Sequence, residues 1–131
     1  MRETWLKLIG TSKEPYQGRY ERPYVDFSKS KRPRAIGPGD QIVLYATGGS
    51  KRLFALAEVT SEVYENNEYE EYPYRVNISY EVNLPVSAGI HIDDISTPRR
   101  NLPAAIQGSY LRLKPEEFEL AESKLREAAH I

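Results

Sequence analysis

Gly37-Pro38-Gly39-Asp40-Gln41-Ile42-Val43-Leu44-Tyr45-Ala46-Thr47-Gly48-Gly49 is the stretch on which the fold turns. Its first four residues read as a turn, because proline presets φ at the second position and glycine accepts a positive φ at the third. Residues 41–47 then alternate, with Ile42, Leu44 and Ala46 on one face and Val43, Tyr45 and Thr47 on the other. Both faces are apolar, which predicts a central strand covered on both sides. Gly48-Gly49 supplies a hairpin turn. Residues 52–64 form the return strand, with Leu53, Ala55, Ala57, Val59 and Val63 on one parity. A strand of that length needs a bend or a bulge.

Downstream, residues 72–85 alternate cleanly. Tyr74, Val76, Ile78, Tyr80, Val82 and Leu84 share one face, and Arg75, Asn77, Ser79, Glu81 and Asn83 share the other. This predicts one core side and one wet side. Residues 86–108 are irregular, with short helical turns expected near 92–95 and 103–107, and 110–113 reads as a last short strand. A helix follows. Pro115 suits its first position, Glu116 and Glu117 suit the positive end of its dipole, and Phe118, Ala121, Leu125 and Ala128 make an apolar stripe. Glu122 and Arg126 stand at the i, i+4 spacing.

Upstream, Thr4–Ile9 reads as strand one. Between it and the Gly37 turn lies a long stretch, 13–36, with no clean period, rich in proline and aromatic residues. Loops of that length in compact domains tend to carry function. The order is strand, long loop, three antiparallel strands, irregular segment, strand, helix. It predicts an α+β domain built on a curled sheet or partial barrel closed by its first and last strands.

The 131 residues fit a single domain spanning 1–131, and 40% hydrophobic with 28% charged residues is the balance of a globular chain. No apolar run approaches a membrane span and no signal-peptide pattern opens the chain, so the cytoplasm is the expected compartment. With no cysteine, disulfides, thiolate nucleophiles and Cys-based zinc sites are excluded. A net charge of −1 argues against a uniformly basic nucleic-acid coat. The distribution is uneven, however. Residues 16–36 carry Arg19, Arg22, Lys29, Lys31, Arg32 and Arg34 against Glu21 and Asp26, while 62–71 carry five glutamates and no base. A local field of one sign steers charged ligands even when the sum is near zero.

Catalytic constellations are missing. His91 beside Asp93 and Asp94 reads as a polar residue at a strand-to-turn junction, so neither a metal nor another cofactor is expected. Gly48-Gly49-Ser50-Lys51 lacks the spacing of a phosphate loop and precedes a strand. Ten tyrosines against three phenylalanines and one tryptophan are more telling. Tyrosine offers a flat face and a polar tip, and aromatics interleaved with Lys and Arg suit a nucleotide. Tyr16, Tyr20 and Tyr24 fall in the basic loop; Trp5, Tyr74 and Tyr80 read as core.

Three motifs in order resemble the EVE domain of the PUA-like superfamily. They are residues 37–48, the run Phe54-Ala55-Leu56-Ala57-Glu58-Val59, and Tyr72-Pro73-Tyr74-Arg75-Val76. The ends, Trp5-Leu6-Lys7-Leu8-Ile9 and residues 110–118, fit as well, so the resemblance covers nearly the whole chain. It implies a PUA-like pseudo-barrel of about five to six mainly antiparallel strands, with flanking helices and a C-terminal helix. It also implies a module that reads a modified or flipped-out base of DNA or RNA in an aromatic-walled pocket, without catalysis. Carried onto this sequence, Tyr24, Phe27 and Tyr45 wall the base, Thr11, Ser12, Thr47 and Gly48 bind its edge, Ser109 and Tyr110 close the floor, and Arg32 and Arg34 meet phosphate. The long loop lacks the tryptophan such readers usually place there, so Tyr or Phe must substitute. Two alternatives stand beside this one. An ASCH-like amidohydrolase acting on nucleoside derivatives would draw on Lys13, Lys51 and Glu58. A protein-interaction domain would use the tyrosine-rich acidic hairpin 64–74.

Overall fold

The computed structural model describes residues 2–10, 18–30, 32–46, 51–96, 102, 106 and 110–130. Its strands are β1 (Thr4–Ile9), β2 (Tyr24–Phe27), β3 (Gln41–Ala46), β4 (Arg52–Val59), β5 (Tyr64–Glu65), β6 (Tyr74–Asn83), β7 (Ile90–His91) and β8 (Tyr110–Arg112). Helix α1 (Pro115–Ala129) ends the order, and 3₁₀ turns occupy Val86–Ala88 and Ile92–Asp94. The strands lie in the order β2-β6-β4-β3-β1-β8, with β5 added to β6 and β7 to β4. Within this sheet β1 and β3 are parallel and the other described pairs antiparallel. A parallel pair requires a crossover, and the segment between β1 and β3 provides it while carrying β2 to the far edge.

The sheet curls until its two edges touch. Phe27 on edge strand β2 meets Tyr110 on edge strand β8 edge-to-face, with ring centroids 5.2 Å apart. The seam is therefore β2 against β8. Strand one does not form it, because β1 is hydrogen-bonded between β3 and β8. The long basic stretch also holds a strand, β2, which Val25 and Phe27 anchor as fully buried side chains.

Two cores result. Inside the curl, Trp5, Ile9, Val25, Phe27, Leu44, Phe54 and Val76 pack together. Outside it, Leu6, Val43, Tyr45, Leu53, Leu56 and Val82 pack under Phe118, Ala121 and Leu125 of α1. β3 is buried along its whole length, as its doubly apolar pattern requires. The expected irregularity in β4 is present at Phe54, and a second bulge lies in its neighbour β6 at Glu81. The register shifts against β3 between Leu44 and Tyr45, and against β6 between Leu56 and Ala57. Each bulge moves the following residues to the opposite face. Leu53 is therefore on the outer side while Ala55, Ala57 and Val59 are inside, and Val82 and Leu84 are outside although they keep step with Val76 in sequence.

The Gly37–Asp40 turn is fixed by a single carboxylate. Asp40 Oδ2 accepts from Trp5 Nε1 at 3.0 Å and from the Gly37 N–H at 3.1 Å, and Oδ1 accepts from the Glu3 N–H at 3.0 Å. Gly39 takes φ +91°, a conformation that strains any side chain. Its N–H donates to the Val59 carbonyl at 2.9 Å, docking the turn on the end of β4. Helix α1 begins at Pro115 with the Glu117 carboxylate accepting from the Lys114 N–H at 2.7 Å, and Glu122 pairs with Arg126 at 3.2 Å.

Candidate nucleic-acid interface

The basic stretch and the acidic hairpin face each other. Lys29 pairs with Glu71 at 3.4 Å, the Arg22 guanidinium lies 5.9 Å from the Tyr69 ring, and Arg75 bridges Asp26 and Glu68. Part of the local charge seen in sequence is thus paired between the two segments. Arg32 and Arg34 are different. Both are exposed, and among the described residues neither has an acidic partner; Arg32 lies 5.1 Å from the Tyr74 ring centre. Between them Pro33 is buried and anchors the segment.

These two arginines line a groove of about 480 Å³ together with Pro33, Ile36, Glu62 and Val63. Ile36 is buried in the inner core and Val63 packs against it, so the floor is fixed while the rim is charged. A guanidinium stacked on an aromatic ring keeps its donor fork free for phosphate, or its open face free for a base.

The other expected site residues divide. Thr11, Ser12, Thr47, Gly48 and Ser109 lie outside the described residues, as does Lys13. The strands that flank them meet at one end of the sheet, where Ile9 pairs with Ala46 and Lys7 with Tyr110. The Arg32–Arg34 groove belongs to the opposite end, since Ile36 leads into β3 and Glu62 and Val63 follow β4. Phe27 and Tyr110 do come together, with Trp5 5.9 Å from Tyr110, but Phe27 is wholly buried. Tyr24 does not join them: three residues apart in a strand means opposite faces, and its ring is covered by the Arg75 guanidinium at 3.6 Å. Tyr45 is buried in the outer core, away from Phe27. These aromatics therefore do not form one wall. His91 Nδ1 accepts from the Asp93 N–H at 3.2 Å and caps a 3₁₀ turn. Lys51 precedes β4 and Glu58 lies near its end, roughly 20 Å apart at ~3.3 Å per residue. They cannot serve one reacting atom.

Sequence reasoning missed Lys7. It alternates with Trp5 and Ile9 on the inner face of β1, a charge on an apolar parity, which was the available signal. It is buried; its Nζ donates to the Leu8 carbonyl at 2.9 Å and lies 5.1 Å from the Phe27 ring centre. Burial lowers its pKa from 10.5 to about 8, against the nearby Asp26 charge, which raises it. Between those values the unfolded chain holds a proton that the folded chain has released, so the Lys7 contribution to stability rises with pH from about 8 to 10.5. Against Lys7→Met, the wild type should gain on the order of 2–3 kcal/mol across that window in paired urea titrations. A constant difference at all pH values would show that Lys7 is solvated.

No protein-family model matches the sequence, and no curated protein does. Solved structures do. Rpa0253 from Rhodopseudomonas palustris matches with a TM-score of 0.63 at 15% identity, over 98% of this chain and 96% of that one. Atu2648 from Agrobacterium tumefaciens gives 0.60 at 14%, over 93% and 92%. A tyrosine-to-phenylalanine mutant of ZmASCH from Zymomonas mobilis gives 0.60 at 12%, over 93% and 98%. At these identities the likeness is one of fold, and the fold of this chain is the α+β PUA-like pseudo-barrel that it shares with ZmASCH.

Proposed function

We propose that this chain is a nucleic-acid-binding module that receives one unpaired or extruded nucleotide in the Arg32–Arg34 groove and does not turn it over. One observation carries the reading. Two arginines without acidic partners among the described residues line a nucleotide-sized groove, whereas Lys29 and Arg75 in the same neighbourhood are neutralised internally. The EVE-like motifs extend it to a modified base, for which oligonucleotides with and without methylated bases are the direct comparison. The low net charge suits recognition of one nucleotide better than coating of a duplex.

The test is fluorescence anisotropy with single-stranded RNA and DNA over a salt series. Two phosphate contacts on a single strand give a slope of about −1.4 in log K against log salt, or roughly a seven-fold loss from 50 to 200 mM. Arg34→Glu should weaken binding about ten-fold and flatten that slope. Binding indifferent both to salt and to Arg34→Glu would refute the reading.

A further inference from the structure

We infer that Glu62 makes this groove selective for guanine, an inference that rests on the groove being the nucleotide site. Glu62 lines the same groove as Arg32 and Arg34. Among the described residues its carboxylate forms no ion pair or hydrogen bond, although two arginines line the same cavity. Glu68 and Glu71 of the same acidic run pair instead with Arg75 and Lys29. The Glu62 carboxylate leans over Gly37, where a Cβ would stand 3.7 Å from Oε2. The groove therefore presents separated charges of both signs, and its ligand must satisfy both.

A phosphate satisfies the arginines and is repelled by Glu62, so the carboxylate must face the base. An ionised carboxylate only accepts hydrogen bonds, through two oxygens side by side. Guanine answers with two adjacent donors, N1–H and the N2 amine, on its Watson–Crick edge. Adenine and cytosine each set one amine beside a ring-nitrogen acceptor. Uracil sets one N–H between two carbonyls. In a two-oxygen contact each of these three sets a lone pair against one carboxylate oxygen, whereas guanine meets both oxygens with N–H donors and leaves its O6 outside the contact. Because that edge is occupied in a duplex, the base must be unpaired, in keeping with a single-stranded ligand.

The experiment uses uridine hexamers in which the third base is G, A, C or U, titrated by anisotropy against the full chain. The guanine hexamer should bind about ten-fold tighter than the others, as a good bidentate base contact provides. Glu62→Gln should cut that preference below about three-fold and raise affinity for the all-uridine hexamer about two-fold, since a negative charge that uracil cannot meet with two donors is removed from a groove holding an anionic strand. Equal affinity for the four hexamers, with salt-sensitive and Arg34-dependent binding retained, would overturn the guanine assignment and leave the nucleic-acid reading standing. A guanine preference that survives Glu62→Gln would overturn it too. No binding of any hexamer would overturn both.

Discussion

Asp26→Ala lowers the free energy of unfolding by about 3–5 kcal/mol, the range for removing one partner of a buried ion pair. Arg75 Nε donates to Asp26 Oδ1 at 2.7 Å, with side chains only 9% and 12% exposed. A second guanidinium nitrogen reaches Glu68 at 3.1 Å, and the group lies 3.6 Å from the centre of the Tyr24 ring. Burial works against the guanidinium charge, but hydrogen bonds to Asp26 and Glu68 outweigh it and raise the Arg75 pKa. A guanidinium keeps its proton at any ordinary pH, so when Asp26 goes a buried cation is left with only the half-exposed Glu68. The same change removes a cross-strand side-chain pair between β2 and β6, since Asp26 and Arg75 are register partners. Urea unfolding measures the loss. Asp26→Ala combined with Arg75→Met should recover most of it, because the uncompensated charge is then absent. A loss under about 1 kcal/mol for the single variant would mean that water reaches the pair.

Asp40→Ala should cost on the order of 3–4 kcal/mol. Three donors converge on this carboxylate, and hydrogen bonds to charged groups are worth about 1.5–3 kcal/mol each, with losses less than additive. One donor, the indole N–H of buried Trp5, has no water to turn to. Asp40→Asn keeps one acceptor oxygen and should fall midway. The near-ultraviolet signal of Trp5, the chain's one tryptophan, should broaden in the alanine variant before global unfolding. An unchanged midpoint and spectrum would show that the turn holds itself.

These two carboxylates also mark what could be read in advance. The hairpin of β3 and β4, the amphipathic α1 and the turn at Gly37 declare themselves through local pattern and turn chemistry. The bulges do not: inserting one residue changes no residue's polarity, so Val82 keeps step with Val76 in sequence while pointing to the other core. Nor does period-2 alternation distinguish a parallel neighbour from an antiparallel one, which hid the β1–β3 pairing. β2 is four residues long and exists because β6 lies beside it. At the site, Arg32 and Arg34 were visible as charges. That neither has an acidic partner among the described residues depends on which glutamates reach Lys29 and Arg75, a tertiary fact. Glu62 reads in sequence as the head of an acidic run, and Tyr24 and Phe27 fall on one wall only if the stretch that holds them is not a strand.

The position of β1 has a consequence for biosynthesis. It lies between β3 and β8, and the Thr4 hydroxyl donates to the Leu113 carbonyl across 109 residues of chain. At ribosomal speeds of ~5–20 residues per second, those residues take roughly 5–20 s to make. During that interval the apolar run Trp5-Leu6-Lys7-Leu8-Ile9 has one edge without a neighbour. Lys7 sits in its middle as a positive charge, a residue type that discourages strand-to-strand association between nascent chains. The lysine that costs the finished fold stability thus guards its first strand while the last one is still being translated.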